Sequence, residues 1–113
     1  MTTRAEYAER LAQPLRDIVT KLSALEGVVR ISLFGSYARG RADLSTDLDV
    51  LVIMNTDMDF VERMAWLYRV LAVPVDMDLI CYTPAEFEAL KDRPFLRHVL
   101  REEVVLYEKK PPR

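Results

Sequence analysis

The stretch Leu33-Phe34-Gly35-Ser36-Tyr37-Ala38-Arg39-Gly40-Arg41-Ala42-Asp43-Leu44-Ser45-Thr46-Asp47-Leu48-Asp49-Val50-Leu51-Val52-Ile53-Met54 decides how this 113-residue chain is read. An apolar run stops at Gly-Ser. A polar loop with two arginines follows, and a second apolar run opens with aspartates at alternate positions. Gly35 permits a sharp turn and a close backbone approach to a ligand. Ser36 adds a hydroxyl beside exposed amides, which suits a phosphate oxygen. Arg39 and Arg41 lie in the loop, and a guanidinium matches phosphate geometry. The pattern implies a site for a nucleoside triphosphate and its metal ions.

Alternation on a strand sends the side chains of Asp47 and Asp49 to one face. At about 6 Å and an effective dielectric near 20, two such anions repel by roughly 3 kcal/mol, about two pKa units. A cation, a nearby arginine or a proton must offset that. Oxygen-only ligands favour Mg²⁺ or Mn²⁺ over zinc. A third carboxylate would let two divalent ions clamp both the attacking and the leaving oxygens of a nucleotidyl transfer. Asp76 and Asp78 are the candidates, and spacing alone does not choose between them. An Asp-x-Asp at a strand mouth is by itself often a solvated turn. With each residue type near its average usage, chance sets all four motif residues at this spacing in roughly one such chain in a thousand. The three glycines (Gly27, Gly35, Gly40) cannot build a Walker or dinucleotide glycine loop. Cys81 and His98 are too isolated for a soft-metal site.

Outward from this stretch, Tyr7, Leu11, Leu15, Ile18, Leu22 and Leu25 form one helical stripe, kinked or restarted at Pro14 and stopped by Gly27. Val28–Phe34 is β-rich. The strand from Asp47 to Met54 becomes continuously apolar, as one buried on both faces would. A helix from about Phe60 to Ala72 carries an apolar stripe of Phe60, Val61, Met64, Leu67, Tyr68 and Leu71. Trp66 lies opposite it, either covered locally or on a second apolar face that meets a partner. Pro74 to Tyr82 is a third strand. Thr83-Pro84-Ala85-Glu86 starts a helix with a capping box, Pro94 starts another, and a short strand closes near Tyr107. The fold expected is α/β (α+β), a small mixed sheet with flanking helices.

The chain length suits one domain, residues 1–108, with a flexible tail at 109–113. The net charge of −2 sets up no global field for nucleic acid. One cysteine forbids an internal disulfide and suits a reducing cytosol. Neither a signal-peptide pattern nor a membrane-length apolar run is seen, so the expected location is cytoplasmic.

Gly35-Ser36, ten intervening residues and Asp47-Leu48-Asp49 resemble the signature of the DNA polymerase β nucleotidyltransferase superfamily. Gly35-Ser36-Tyr37-Ala38-Arg39-Gly40 in a short chain resembles its minimal nucleotidyltransferase (MNT) group, and the similarity spans about Val28 to Tyr107. The resemblance implies the polymerase β-like fold, with Ser36 on the triphosphate of ATP and Asp47 and Asp49 on two Mg²⁺ ions. It also implies Asp78 as third metal ligand, helping to activate an acceptor hydroxyl, with Asp76 an additional nearby acid. Thr46 stands where the family often has serine. Members of the group are commonly paired with HEPN proteins as toxin and antitoxin, and some transfer AMP to a tyrosine of that partner. The resemblance therefore implies either an adenylyl-transferring enzyme or an antitoxin that neutralises a HEPN-type partner by complex formation. A small-molecule acceptor would need a second subunit or domain, and homo-oligomerisation is left open.

Overall fold

The computed structural model describes residues 4–40, 47–72 and 76–109, with the side chains of the first helix from Arg10 onward. The elements run α1 (Arg4–Ser23), β1 (Val28–Phe34), α2 (Gly35–Ala38), β2 (Leu48–Met54), α3 (Phe60–Leu71), β3 (Met77–Tyr82), α4 (Pro84–Leu90), α5 (Pro94–Glu102) and β4 (Val104–Glu108). The four strands form one mixed sheet in the order β3-β2-β1-β4. β1 is antiparallel to both β2 and β4, while β2 and β3 are parallel.

The apolar run of β2 is buried because it is central and covered twice. Leu48, Val50, Val52 and Met54 join the main core with Leu11, Ile18 and Leu22 of α1 and Leu67 and Leu71 of α3. The intervening Leu51 and Ile53 pack on the other face with Leu96 and Val99 of α5. Period-two alternation thus puts Asp49 on the α5 face.

Several boundaries differ from the sequence reading. α1 runs unbroken through Pro14. It ends at Ser23, short of Gly27. Gly27 instead serves a close approach: a Cβ there would sit 2.3 Å from the Asn55 carbonyl oxygen. β3 begins at Met77, so Asp76 precedes the strand and does not alternate along it with Asp78. The Asp76 carbonyl accepts a 3.2 Å hydrogen bond from the Leu48 amide. The Thr83–Glu86 capping box is present. Arg41 and the tail from Lys110 lie outside the described residues.

On α3 the buried face is Arg63, Leu67 and Leu71, whereas Val61 is 75% exposed. Trp66 is half-buried against the main core, in line with local covering of its ring. Sequence reasoning missed Arg63. Its guanidinium donates to the Met58 and Cys81 carbonyls and to Glu86, tying α3 to β3 and α4. Every Arg63 nitrogen thereby finds an acceptor, which is what permits the charge to be buried.

Candidate functional site

The strand directions bring the C-terminal end of β1 beside the N-terminal ends of β2 and β3. Phe34 is the register partner of Asp49, and Asp49 is the register partner of Asp78. Gly35 follows Phe34 directly, so the Gly-Ser turn sits over the second aspartate. A Cβ on Gly35 would lie 2.0 Å from Asp49 Oδ2, and the residue adopts φ +77°. Both facts exclude a side chain there. The glycine's close approach is therefore to Asp49, an arrangement the sequence did not disclose.

Asp49 carries the electrostatic load of this corner. Its carboxyl is raised from 3.8 to about 6. Burial is the largest cause, the negative charge of Asp78 the next and that of Asp47 the third. A hydrogen bond with Asp78 raises it further, and the Arg39 guanidinium pulls it down. Sequence spacing made the Asp47–Asp49 pair look dominant, but the in-register neighbour on the parallel strand weighs more. Asp76 and Asp78 are both exposed, but only Asp78 figures among the groups acting on Asp49. Asp47 and Asp78 are the carboxylates that act on Asp49.

Asp49 and Asp78 line an open cavity of about 290 Å³ with Phe34, Leu79, Ile80 and Phe95. Phe34 and Phe95 meet edge to face, with centroids 6.2 Å apart. Ser36 stands in α2 beside this corner, half-buried. Arg39 caps α2 and donates to Glu102 of α5 at 2.8 Å. Glu102, which the sequence did not single out, also faces His98 at 3.4 Å. The buried Cys81 thiol is pushed up to about 12 by desolvation, so it stays neutral and offers no thiolate.

Among the described residues, no group of three or more His, Cys, Asp or Glu side chains is placed to hold a metal ion. Asp47 and Asp78 are joined instead through their separate interactions with Asp49. The donor chemistry is nonetheless that of a hard divalent cation: oxygen only, with clustered negative charge that holds a proton near neutrality. The same residues fit Mg²⁺ better than zinc. Among the described residues, no helix is long and apolar enough to cross a membrane.

Comparison with known proteins agrees with this geometry. A family model described as nucleotidyltransferase domain matches residues 15–111. A protein of Methanocaldococcus jannaschii named "putative protein adenylyltransferase" is 34% identical over 80 residues, covering 71% of this chain and 79% of that protein. The crystal structure of a "putative nucleotidyltransferase" from Sulfolobus solfataricus superposes with a TM-score of 0.69 at 20% identity, covering 96% of this chain and 90% of that one. A "putative minimal nucleotidyltransferase" aligns with a TM-score of 0.56 at 29% identity over 86% of this chain and 93% of that one. A mutant of the toxin–antitoxin MntA-HpeT shares the fold at a TM-score of 0.51 and 23% identity, over 90% of this chain and 72% of that one. With its Gly-Ser turn set over an in-register pair of aspartates, the chain belongs to the nucleotidyltransferase domain family.

Proposed function

We propose that the protein transfers AMP from ATP to a hydroxyl of a partner protein, with a HEPN-type toxin as the acceptor. The observation that carries this reading is the register of Asp49 with Asp78 beneath Gly35, with Asp47 acting on the same carboxyl. Support for adenylyl transfer to a protein comes from the name of the M. jannaschii relative. The fold shared with a toxin–antitoxin protein is compatible with such a partner.

In this reading Ser36, Arg39 and Arg41 hold the triphosphate, and Gly35 keeps the turn tight against Asp49. Asp47, Asp49 and Asp78 would hold two Mg²⁺ ions, which when bound neutralise phosphate charge and orient the reacting oxygens. The acceptor oxygen attacks the α-phosphorus, the bond to the β-phosphate oxygen breaks, and pyrophosphate departs. The hydroxyl proton passes toward Asp78. Phe34 and Phe95 wall the cavity through which the hydroxyl enters.

The test is transfer of label from α-labelled ATP to a co-expressed HEPN-type partner. Asp47→Asn with Asp49→Asn is expected to abolish it; persistent labelling would overturn the mechanism. The same variant decides the second reading, neutralisation by complex formation alone. If it protects cells from the partner as well as the wild type does, binding is the function.

A further inference from the structure

We propose that α5 braces the Gly-Ser segment from both ends, and that Glu102 is a positioning residue that holds the Arg39 guanidinium in place for the triphosphate. The proposal deepens the reading above, in which Arg39 contacts the triphosphate, and rests on it.

The Gly-Ser segment is the single turn α2. A helix this short does not stand alone, so its placement depends on what holds its two ends. Before the turn, the Phe34 ring meets the Phe95 ring of α5 edge to face, with centroids 6.2 Å apart. After the turn, the Arg39 amide donates to the Gly35 and Ser36 carbonyls, and the Arg39 side chain donates to Glu102 of α5 at 2.8 Å. A spacing of seven residues puts Phe95 and Glu102 on one face of α5, about 10 Å apart along its axis. The helix itself is fixed by Leu96 and Val99, which are buried with Leu51 and Ile53 of β2. One anchored helix thus grips the residue before the turn and the residue after it.

Glu102 is poorly placed for the sake of its own helix. It is the last residue of α5, and a carboxylate there meets the negative end of the helix dipole. The compensation lies on another element, at Arg39. A local rule broken in favour of a contact beside a site is the pattern expected of a positioning residue.

Arg39 is a side chain that needs holding. It is 53% exposed, and a long exposed arginine loses rotamer freedom when it binds an anion. Fixing it beforehand removes part of that cost. Its charge already reaches the carboxylate corner, where it lowers the Asp49 carboxyl. A guanidinium has five N–H donors, so a bond to Glu102 is compatible with a phosphate on the others. An ion pair this exposed contributes little to folding, and its value is in placement.

The test is calorimetric titration of ATP in Mg²⁺ buffer, with Tm measured on the same samples. Glu102→Ala is expected to raise the Kd about fivefold without lowering Tm, since it removes an acid from a helix C-terminus. Glu102→Gln keeps an acceptor oxygen and should recover part of the loss. The sign is diagnostic, because losing a carboxylate near a polyanion would by charge alone tighten binding. Arg39→Ala should weaken binding at least as much, and Glu102→Ala added to it should cost nothing further. Glu103→Gln disturbs the neighbouring pair with Arg30 and should lower Tm with the Kd unchanged. An unchanged or lower Kd in Glu102→Ala, beside weak binding in Arg39→Ala, defeats the brace and leaves Arg39 on the triphosphate. Equal weakening by Glu102→Ala and Glu103→Gln would mean general loosening of the end of α5 and would also overturn it. Wild-type affinity in Arg39→Ala, or no ATP binding by the wild type, defeats the assignment of Arg39 to the triphosphate and the role of Glu102 with it.

Discussion

Asp49 and Asp78 are register partners on adjacent parallel strands, and after burial the charge of Asp78 does most to hold the Asp49 carboxyl above its ordinary value. Burial and the neighbouring negative charge favour the protonated form of Asp49. The pairing follows from the backbone. β2 and β3 align Leu48 with Met77 and Asp49 with Asp78, and the neighbouring β1 ends at Phe34 opposite Asp49. Three segments far apart in sequence are thereby brought to one corner of the sheet.

The raised pKa makes a pH dependence testable. In metal-free buffer the folded protein binds this proton more tightly than the unfolded chain, whose aspartate titrates near 3.8. Unfolding then releases protons, so this group's stabilising contribution is full below about pH 4 and is lost as pH rises through about 6. Asp49→Asn removes the titration. It is expected to raise the metal-free Tm at pH 7.5 by about 5 °C and to leave it unchanged at pH 4. Calorimetry across this range checks the sign; a Tm gain at acid pH only would contradict it.

Added Mg²⁺ should reverse that ranking. A cation that binds only the folded state stabilises it in proportion to the logarithm of its concentration over Kd. Wild type is expected to gain Tm on titration with Mg²⁺ at pH 7.5, while Asp49→Asn and Asp78→Asn gain little. Asp76→Asn should behave like wild type, because Asp76 precedes the strand while Asp78 is the register partner of Asp49. An Asp76→Asn protein that no longer responds to Mg²⁺ would move the third ligand to that position.

Gly35→Ala tests the contact between turn and carboxylate. The new methyl group would fall within 3.0 Å of the Asp49 carboxylate carbon, on a backbone with φ +77°. The strain should cost about 1–2 kcal/mol of stability in urea denaturation. It should also displace Asp49 and remove the Mg²⁺ response, which Gly40→Ala, with nothing within 4 Å of its added Cβ, should retain.

Much of this architecture is legible in the sequence because local signals and packing agree. The Thr83-Pro84-Ala85-Glu86 start, the unbroken apolar run of β2 and the Gly-Ser turn all fold as their chemistry dictates. What was not legible depends on register and on tertiary pairing. Nothing in the spacing says that Asp78 stands opposite Asp49, since parallel register is set by the sheet. Pro14 reads as a break, yet packing of Leu11, Ile18 and Leu22 on the sheet carries α1 through it. Arg63 reads as a solvated helix residue. The available signal was its spacing of four and eight residues from Leu67 and Leu71, which places a charge on the buried stripe.

Arg63 therefore supplies the stability prediction least tied to the site. Its side chain is 4% exposed and its carboxylate partner Glu86 38%. Glu86 also completes the Thr83 capping box. The nearby guanidinium holds the Glu86 carboxyl below its ordinary value. Removing the arginine leaves the Met58 and Cys81 carbonyls without their donor, and removing the carboxylate strands a buried cation. Arg63→Ala is expected to cost about 3 kcal/mol in urea denaturation, and Glu86→Gln less, because its amide can still accept from the guanidinium. The Arg63→Met variant keeps the volume but not the donors. If it were as stable as wild type, packing rather than hydrogen bonding would be what holds α3 against β3 and α4.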